Sequence, residues 1–305
     1  MTAKKAPAKK AAPAKTAKPA AKKAAPAKAT SEKQAAQPVA AAAAADEELV
    51  FTRPGSMVDR ATHYCPGCHH GIAHRLVAEL LDELQLTENT VAVSSIGCSV
   101  FLYNYIKVDT VEAPHGRAPA VATGVKRARG DKFVFTYQGD GDLASIGMAE
   151  IMHAANRGER LTVVFVNNTV YGMTGGQMAP TTLIGQKTTT CPGGRCKDRE
   201  GAPIRMSEII AQLGGVAYCA RGSLDSVKNI RQAKKYLKRA FQIQKDGIGF
   251  SFVELLSGCP TNWRMSALAA NKRITEEMIP YFPLGVYRDV ADGTCGSTVA
   301  PEGGK

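Results

Sequence analysis

Short apolar runs alternate with stretches of helical periodicity between residues 90 and 256. The runs at residues 90–96, 133–137, 161–166, 216–220 and 250–256 have the length and side-chain types of buried strands. Residues 118–129 and 224–244 have the pattern of helices between them. Because strands that alternate with helices are typical of parallel sheets, we predict an α/β domain with an open, mostly parallel sheet and helices on both faces.

Polar residues close two of these strands. Gly139-Asp140-Gly141-Asp142 follows the run at 133–137, and Asn167-Asn168 follows the run at 161–166. The carboxyl edge of such a sheet is where ligands bind. Carboxylate, amide and carbonyl oxygens suit a Mg²⁺ that bridges to phosphates, and glycine lets the backbone approach a phosphate closely. The pattern indicates a metal-diphosphate site, with a capped strand-to-helix turn as the alternative.

The amino-terminal segment has a different composition. Its first 45 residues contain ten Lys and one acidic residue, Glu32, so they carry +9 of the chain's net charge of +12. We predict a disordered Lys/Ala/Pro-rich tail at residues 1–48, one domain at 49–290 and a flexible end at 291–305. No aromatic residues interleave the lysines, so the tail lacks the stacking surface of a nucleic-acid partner and none is expected. Without an export signal or a long apolar run, we expect a cytoplasmic protein with no membrane contact.

Four cysteines stand at positions where they are expected to meet. Cys65 and Cys68 form a CxxC just before a predicted helix, whose N-terminus favours the thiolate of Cys68. Cys98 and Cys259 each follow a predicted strand. Four thiolates suit either Zn²⁺ or a [4Fe-4S] cluster. The remaining four are expected to be free thiols: Cys191, Cys196, Cys219 and Cys295.

The motifs CPGC, IGCS, HGR, GDGD, NNTVYGMTGGQ and GCPTNW occur here in one order. In this combination residues 50–285 resemble the β subunit of 2-oxoacid:ferredoxin oxidoreductases, closest to the 2-ketoisovalerate (branched-chain) type. The resemblance implies a thiamine diphosphate-binding fold. It also implies Mg²⁺ on Asp140, Asn168 and the carbonyl of Val170, and a [4Fe-4S] cluster on the set Cys65, Cys68, Cys98 and Cys259.

Further residues are expected around the cofactor. His115 and Arg117 precede a predicted helix, where a positive residue suits a phosphate, and we place both near the cofactor without a chemical step. The expected cofactor contacts are Gly97, Ser99, Gly139, Asp140, Gly141, Asp142 and Asn168.

The expected substrate pocket comprises Met173, Thr174 and Gly175. Some relatives have Lys where this chain has Gly175. Its absence predicts a branched aliphatic substrate rather than one with a second carboxylate.

The resemblance implies oxidative decarboxylation of 2-oxo acids to acyl-CoA and CO₂, with electrons passing through the cluster to ferredoxin. It also implies an α subunit that supplies a Glu to the aminopyrimidine side of the cofactor, and γ and ferredoxin-like δ subunits. This chain alone is therefore expected to be inactive. Alternatives are pyruvate or 2-oxoglutarate as substrate, a thiamine diphosphate-dependent lyase or decarboxylase with a structural zinc site, and a nucleic-acid-binding scaffold.

Overall fold

A computed structural model of the chain describes residues 51–290. The predicted tail at residues 1–48 and the predicted flexible end at 291–305 lie outside this range, as does Cys295.

A seven-stranded sheet forms the centre of the described domain. Its strand order is β2-β1-β3-β4-β8-β7-β9, and every pairing is parallel except that of β9, which runs antiparallel to β7. A separate antiparallel pair, β5 and β6, follows β4. The strands are β1 (Thr90–Ser95), β2 (Asp109–Ala113), β3 (Phe133–Gly139), β4 (Thr162–Asn167), β5 (Val170–Tyr171), β6 (Gln177–Met178), β7 (Val216–Ser223), β8 (Phe250–Leu256) and β9 (Gly285–Asp289).

Helices connect the strands and cover both faces of the sheet. They are α1 (His70–Glu83), α2 (Ala118–Ala128), α3 (Met148–Asn156), α4 (Lys197–Glu200), α5 (Met206–Ala211), α6 (Val227–Lys245), α7 (Pro260–Trp263), α8 (Ala267–Arg273) and α9 (Ile279–Tyr281). Tighter 3₁₀ turns occur at Thr87–Asn89 and Cys98–Asn104, and wider π turns at Asp142–Ile146 and Ile274–Met278. A π turn directly after β3 is of interest because such turns are frequent at functional sites.

The alternation of side chains in β3 and β4 creates two cores. Phe133, Phe135 and Tyr137 pack on the face covered by α1 and α6, whereas Val134 packs on the face covered by α2, α3 and α5. The central strands are buried on both faces, which explains their nearly continuous apolar sequences. This is the expected fold class, and the prediction is confirmed.

The predicted strand and helix positions agree with the structure to within a few residues. Strand β8 spans the predicted residues, and β7 extends three residues further than predicted, to Ser223. Strand β9 is not predicted by the apolar pattern, because its sequence, Gly-Val-Tyr-Arg-Asp, is short and mostly polar. Among residues 51–290 there is no helix long and apolar enough to cross a membrane.

Candidate active site

An open cleft lies at the carboxyl edge of the sheet. It is formed by the segments that follow four neighbouring strands, β2, β1, β3 and β4. The lining residues are His70, Ile96, Gly97, Cys98, Ser99, His115, Gly139, Asp140, Gly141, Asp142, Asn168, Val170, Tyr171, Gly172, Met173 and Thr174. Most of the residues expected around the cofactor therefore share one cleft.

Asp140 is a buried carboxylate in this cleft. Its Oδ2 accepts a hydrogen bond from the Thr181 hydroxyl (2.6 Å), and its Oδ1 accepts one from the N–H of Gly141 (2.9 Å). Burial raises the pKa of Asp140 to about 7, against the opposing effect of these hydrogen bonds. Within residues 51–290 it has no ion-pair partner. A cation bound here would supply the missing positive charge.

The backbone after β4 is held in an unusual conformation. Thr169 has φ +61°, which a β-branched residue rarely adopts. Its carbonyl accepts hydrogen bonds from the Thr182 hydroxyl (2.6 Å) and from Nε2 of Gln186 (3.1 Å). The strained residue thus lies between two expected Mg²⁺ ligands, Asn168 and Val170, and determines how they face the cleft.

Two hydrogen bonds also hold Asn168 in place. The indole N–H of Trp263 donates to the Asn168 carbonyl (3.2 Å), and the N–H of Val170 donates to the Asn168 side-chain oxygen (3.3 Å). The backbone oxygen of Asn168 is therefore occupied.

Asp142 lines the cleft, but protein groups already bind its carboxylate. Oδ1 accepts from the Ser95 hydroxyl (2.9 Å) and the Gly116 N–H (2.6 Å), and Nδ1 of His115 lies 2.5 Å from it. Oδ2 accepts from Nε2 of Gln138 (2.6 Å). Asp142 therefore orients the imidazole of His115 through Nδ1. The other ring nitrogen of His115, Nε2, does not contact Asp142.

Two of the residues expected around the cofactor and substrate, Arg117 and Gly175, lie outside the cleft lining. Arg117 donates to the carbonyl of Ile146 (3.2 Å) and pairs with Glu150, so its charge is directed to α3 rather than to the cofactor cleft. Gly175 has φ +105° and faces open space, while Met173 and Thr174 form the wall. That Arg117 lies near the cofactor and that Gly175 belongs to the substrate pocket therefore stay predictions.

The four expected cluster cysteines gather beside the cleft. Each of the six pairs among Cys65, Cys68, Cys98 and Cys259 is close enough for the two thiols to interact electrostatically. No three His, Cys, Asp or Glu side chains of residues 51–290 are arranged to hold one metal ion.

The ionisation of Cys68 differs from the expectation. A helix N-terminus is expected to favour its thiolate, but burial raises the pKa of Cys68 to about 12 and that of Cys98 to about 11. Desolvation outweighs the hydrogen bond from the His70 backbone. None of the seven described cysteines forms a disulfide, and this includes the three outside the expected cluster set: Cys191, Cys196 and Cys219.

Gly172 separates the cysteines from the expected Mg²⁺ ligands. A Cβ atom built on it would lie 3.4 Å from Sγ of Cys98, 3.7 Å from Sγ of Cys259 and 3.7 Å from Nδ2 of Asn168. The cysteines and the expected Mg²⁺ ligand Asn168 thus both lie next to Gly172 in space.

Several site residues are missing from the sequence predictions. His70 lines the cleft and bonds through Nδ1 to the Tyr137 hydroxyl (2.7 Å); burial lowers the pKa of His70 to about 3, so its ring is neutral. Its position two residues after Cys68 is the only signal in the sequence. Thr181, Thr182 and Gln186 support the site from the loop that follows β6, and no ligand spacing in the sequence marks these three residues.

Residues 95–255 match the family described as "Thiamine pyrophosphate enzyme, C-terminal TPP binding domain". The class defined by fold and site is therefore a thiamine diphosphate-binding domain, as the sequence motifs predict.

Curated relatives narrow this class. The chain is 53% identical over 245 residues to the "Ketoisovalerate oxidoreductase subunit VorA" of Methanothermobacter marburgensis, covering 80% of this chain and 51% of the relative. It is 39% identical over 206 residues to the "2-oxoglutarate synthase subunit KorB" of Methanocaldococcus jannaschii, covering 67% and 72%. The chain belongs to the family of these 2-oxoacid oxidoreductase subunits, and the expected resemblance to the ketoisovalerate type is confirmed. It spans about half the length of the VorA relatives.

A solved structure has the same fold. It is the "2-oxoglutarate:ferredoxin oxidoreductase from Magnetococcus marinus with 2-oxoglutarate, coenzyme A and succinyl-CoA bound", with a TM-score of 0.65 and 26% sequence identity. The match covers 83% of this chain and 87% of that one.

Proposed function

We propose that this chain holds Mg²⁺-thiamine diphosphate and a [4Fe-4S] cluster in a complex that oxidatively decarboxylates 2-oxo acids to acyl-CoA and CO₂. One observation carries the proposal: Gly172 has an expected Mg²⁺ ligand, Asn168, on one side and two cysteines, Cys98 and Cys259, on the other. When bound, thiamine diphosphate supplies a nucleophilic carbon and an electron sink, and the cluster accepts electrons one at a time.

Mg²⁺ would be held by Asp140, Asn168 and the carbonyl of Val170. These are hard oxygen ligands in the lining of one cleft, and Asp140 lacks a cationic partner among residues 51–290. The diphosphate would lie along Gly97, Ser99, Gly139 and Gly141, which line the same cleft. A side chain at Gly141 would overlap the ring of Tyr171, so only glycine fits there.

The cluster would be held by Cys65, Cys68, Cys98 and Cys259. Coordination to iron would keep the buried thiols deprotonated despite their raised pKa values. Four thiolates on one zinc ion would have to lie within about 4 Å of each other, given Zn–S distances of about 2.3 Å. A cubane cluster instead binds each thiolate to a different iron, so its four ligand sulfurs need not converge on one ion.

The substrate is proposed to be a branched 2-oxo acid such as 2-ketoisovalerate. Met173 and Thr174 line the cleft and bring no cation to it. The VorA relatives are named for ketoisovalerate, whereas the KorB relatives are named for 2-oxoglutarate. Coenzyme A is proposed as the acyl acceptor, because the Magnetococcus marinus enzyme was solved with coenzyme A and succinyl-CoA bound. The proposed partners are an α subunit, γ and δ subunits, and ferredoxin.

The test is purification of the complex without oxygen, followed by analysis of iron and acid-labile sulfide. We expect about four of each per copy of this chain above the content of the partner subunits. Replacing Cys259 by Ser should remove that iron and its visible absorption, while Cys196→Ser should not. Zinc without sulfide would contradict the cluster. Acyl-CoA formation that is faster with 2-oxoglutarate or pyruvate than with 2-ketoisovalerate would contradict the proposed substrate.

A further inference from the structure

A buried charged network lies behind the two asparagines. Glu254 of β8, Arg221 of β7 and Asn167 of β4 are all fully buried. The strand order places β8 between β4 and β7, with Glu254 in register with Arg221. Arg221 Nε donates to Glu254 Oε2 (2.8 Å), and the Ser207 hydroxyl donates to the same oxygen (2.6 Å). The other oxygen, Oε1, accepts from Nδ2 of Asn167 (2.8 Å).

An ionised carboxylate only accepts hydrogen bonds, so Glu254 determines the orientation of the Asn167 amide. Because Nδ2 of Asn167 faces Glu254, its oxygen Oδ1 faces the opposite way. There it accepts the N–H of Thr169 (3.2 Å), the residue with φ +61°. Reversing the amide would direct an NH₂ group at this N–H and remove the bond. The charge on Glu254 is thereby linked to the strained backbone at the cleft.

We propose that Glu254 is a positioning residue for the metal-diphosphate site. By orienting Asn167 it holds Thr169 in the left-handed conformation, which keeps the Asn168 side chain and the Val170 carbonyl facing the cleft. This inference rests on the proposed function, since it concerns the same Mg²⁺ ligands. Residues of this kind, one layer behind the ligands, commonly change metal affinity by about 10- to 100-fold when replaced.

The substitution Glu254→Gln separates this role from packing, because it preserves the shape of the side chain. A glutamine cannot accept from both Arg221 and Asn167 with the same group: one of them would face its NH₂. The matched control is Glu208→Gln. Glu208 also pairs with Arg221 (2.6 Å) but has no contact with Asn167.

A double variant tests the amide orientation directly. In Asn167→Asp/Glu254→Gln, the glutamine NH₂ can donate to the new aspartate, and the second aspartate oxygen can still accept the Thr169 N–H. The formal charge of the network is unchanged. This double variant, called the swap below, should therefore restore the positioning that Glu254→Gln removes. If the two substitutions acted independently, their losses of Mg²⁺ affinity would add instead.

The experiment uses the complex of the full chain with its partner subunits. Mg²⁺ affinity is measured by calorimetry at saturating thiamine diphosphate, and turnover is measured as a function of Mg²⁺ concentration. We expect Glu254→Gln to weaken Mg²⁺ binding by about 10- to 100-fold and to regain turnover at high Mg²⁺. Glu208→Gln should bind Mg²⁺ as tightly as the unmodified complex. The double variant Asn167→Asp/Glu254→Gln should regain that affinity. A defect in folding alone would not be repaired by added Mg²⁺.

Unaltered Mg²⁺ affinity in folded Glu254→Gln would overturn the inference, as would an equal loss in Glu208→Gln. If Glu254→Gln fails to fold, the swap decides: a folded swap with normal affinity supports the inference, and one that fails to fold or to regain affinity overturns it. If the unmodified complex binds no Mg²⁺-thiamine diphosphate, the proposed function itself is wrong.

Discussion

Gly172 is the residue at which the proposed cofactor sites come closest. A methyl group in Gly172→Ala would occupy the space between Cys98, Cys259 and Asn168. Because contacts of 3.4–3.7 Å are ordinary van der Waals distances, the unliganded fold should tolerate the change. We expect the methyl group to obstruct the approach of cofactor and cluster, lowering thiamine diphosphate affinity or cluster content. Calorimetry and the visible spectrum measure these two effects.

The control for this variant is Gly193→Ala, where an added Cβ meets no atom within 4 Å. It should retain both the spectrum and the affinity. If Gly172→Ala matches the control in both measurements, the two cofactors do not share the space around this glycine.

Met173 offers a test of substrate choice. It lines the cleft and is 42% exposed, so Met173→Lys places a cation there without burying it. The more conventional position, Gly175, is unsuitable because its φ of +105° would strain any side chain. We expect kcat/KM for 2-oxoglutarate to rise a few fold relative to 2-ketoisovalerate, since a partly exposed ion pair contributes about 0.2–1 kcal/mol.

Ile184→Lys is the matched control, because Ile184 is 48% exposed and does not line the cleft. Its ratio of kcat/KM values should equal that of the unmodified complex. The same ratio in Met173→Lys would show that the substrate lies elsewhere.

At the scale of elements, the strands that carry the site are those that the apolar pattern predicts best. Strands β1, β4 and β8 are buried throughout, and β3 is buried except at its last residue, so their sequences are distinctive. The expected ligands follow these strands. The contacts that position these ligands could not be predicted from the apolar pattern. The bond from Asn167 to Glu254 joins residues 87 apart in the sequence, and the left-handed Thr169 is bonded by Thr182 and Gln186 of a later loop. Periodicity contains no information about such tertiary contacts.

Arg221 provides a prediction for the pairing of β7 with β8. Both Arg221 and Glu254 have fully buried side chains, so Arg221→Leu leaves the Glu254 carboxylate without its counter-charge. We expect the free energy of unfolding to fall by about 3–5 kcal/mol. Chemical denaturation of the chain measures this loss. The exposed pair of Arg53 and Asp59 is the comparison, and Arg53→Leu should change stability little. An equally small effect of Arg221→Leu would show that the Glu254 carboxylate does not need Arg221 as its counter-charge for the fold to be stable.

At the scale of the whole molecule, the cleft lacks one group that the family resemblance requires. Among residues 51–290 no Glu lines it. Its two carboxylates, Asp140 and Asp142, are already engaged with protein donors. The Glu expected on the aminopyrimidine side of the cofactor would therefore come from the proposed α subunit. The cleft is also open, which would allow the proposed partner subunit to reach a cofactor held there.

The chain on its own should consequently assemble the cluster but not turn over substrate. We expect the reconstituted full chain to show cluster absorption, with no acyl-CoA formed from 2-ketoisovalerate when a viologen acceptor is supplied. Adding the partner subunits should start the reaction. Hydrogen exchange at the thiazolium carbon of added thiamine diphosphate gives a second readout, because it requires the activating Glu but not the substrate. Rapid exchange or acyl-CoA formation by the chain alone would mean that its own residues supply the activating acid, and the division of the site between two subunits would be wrong.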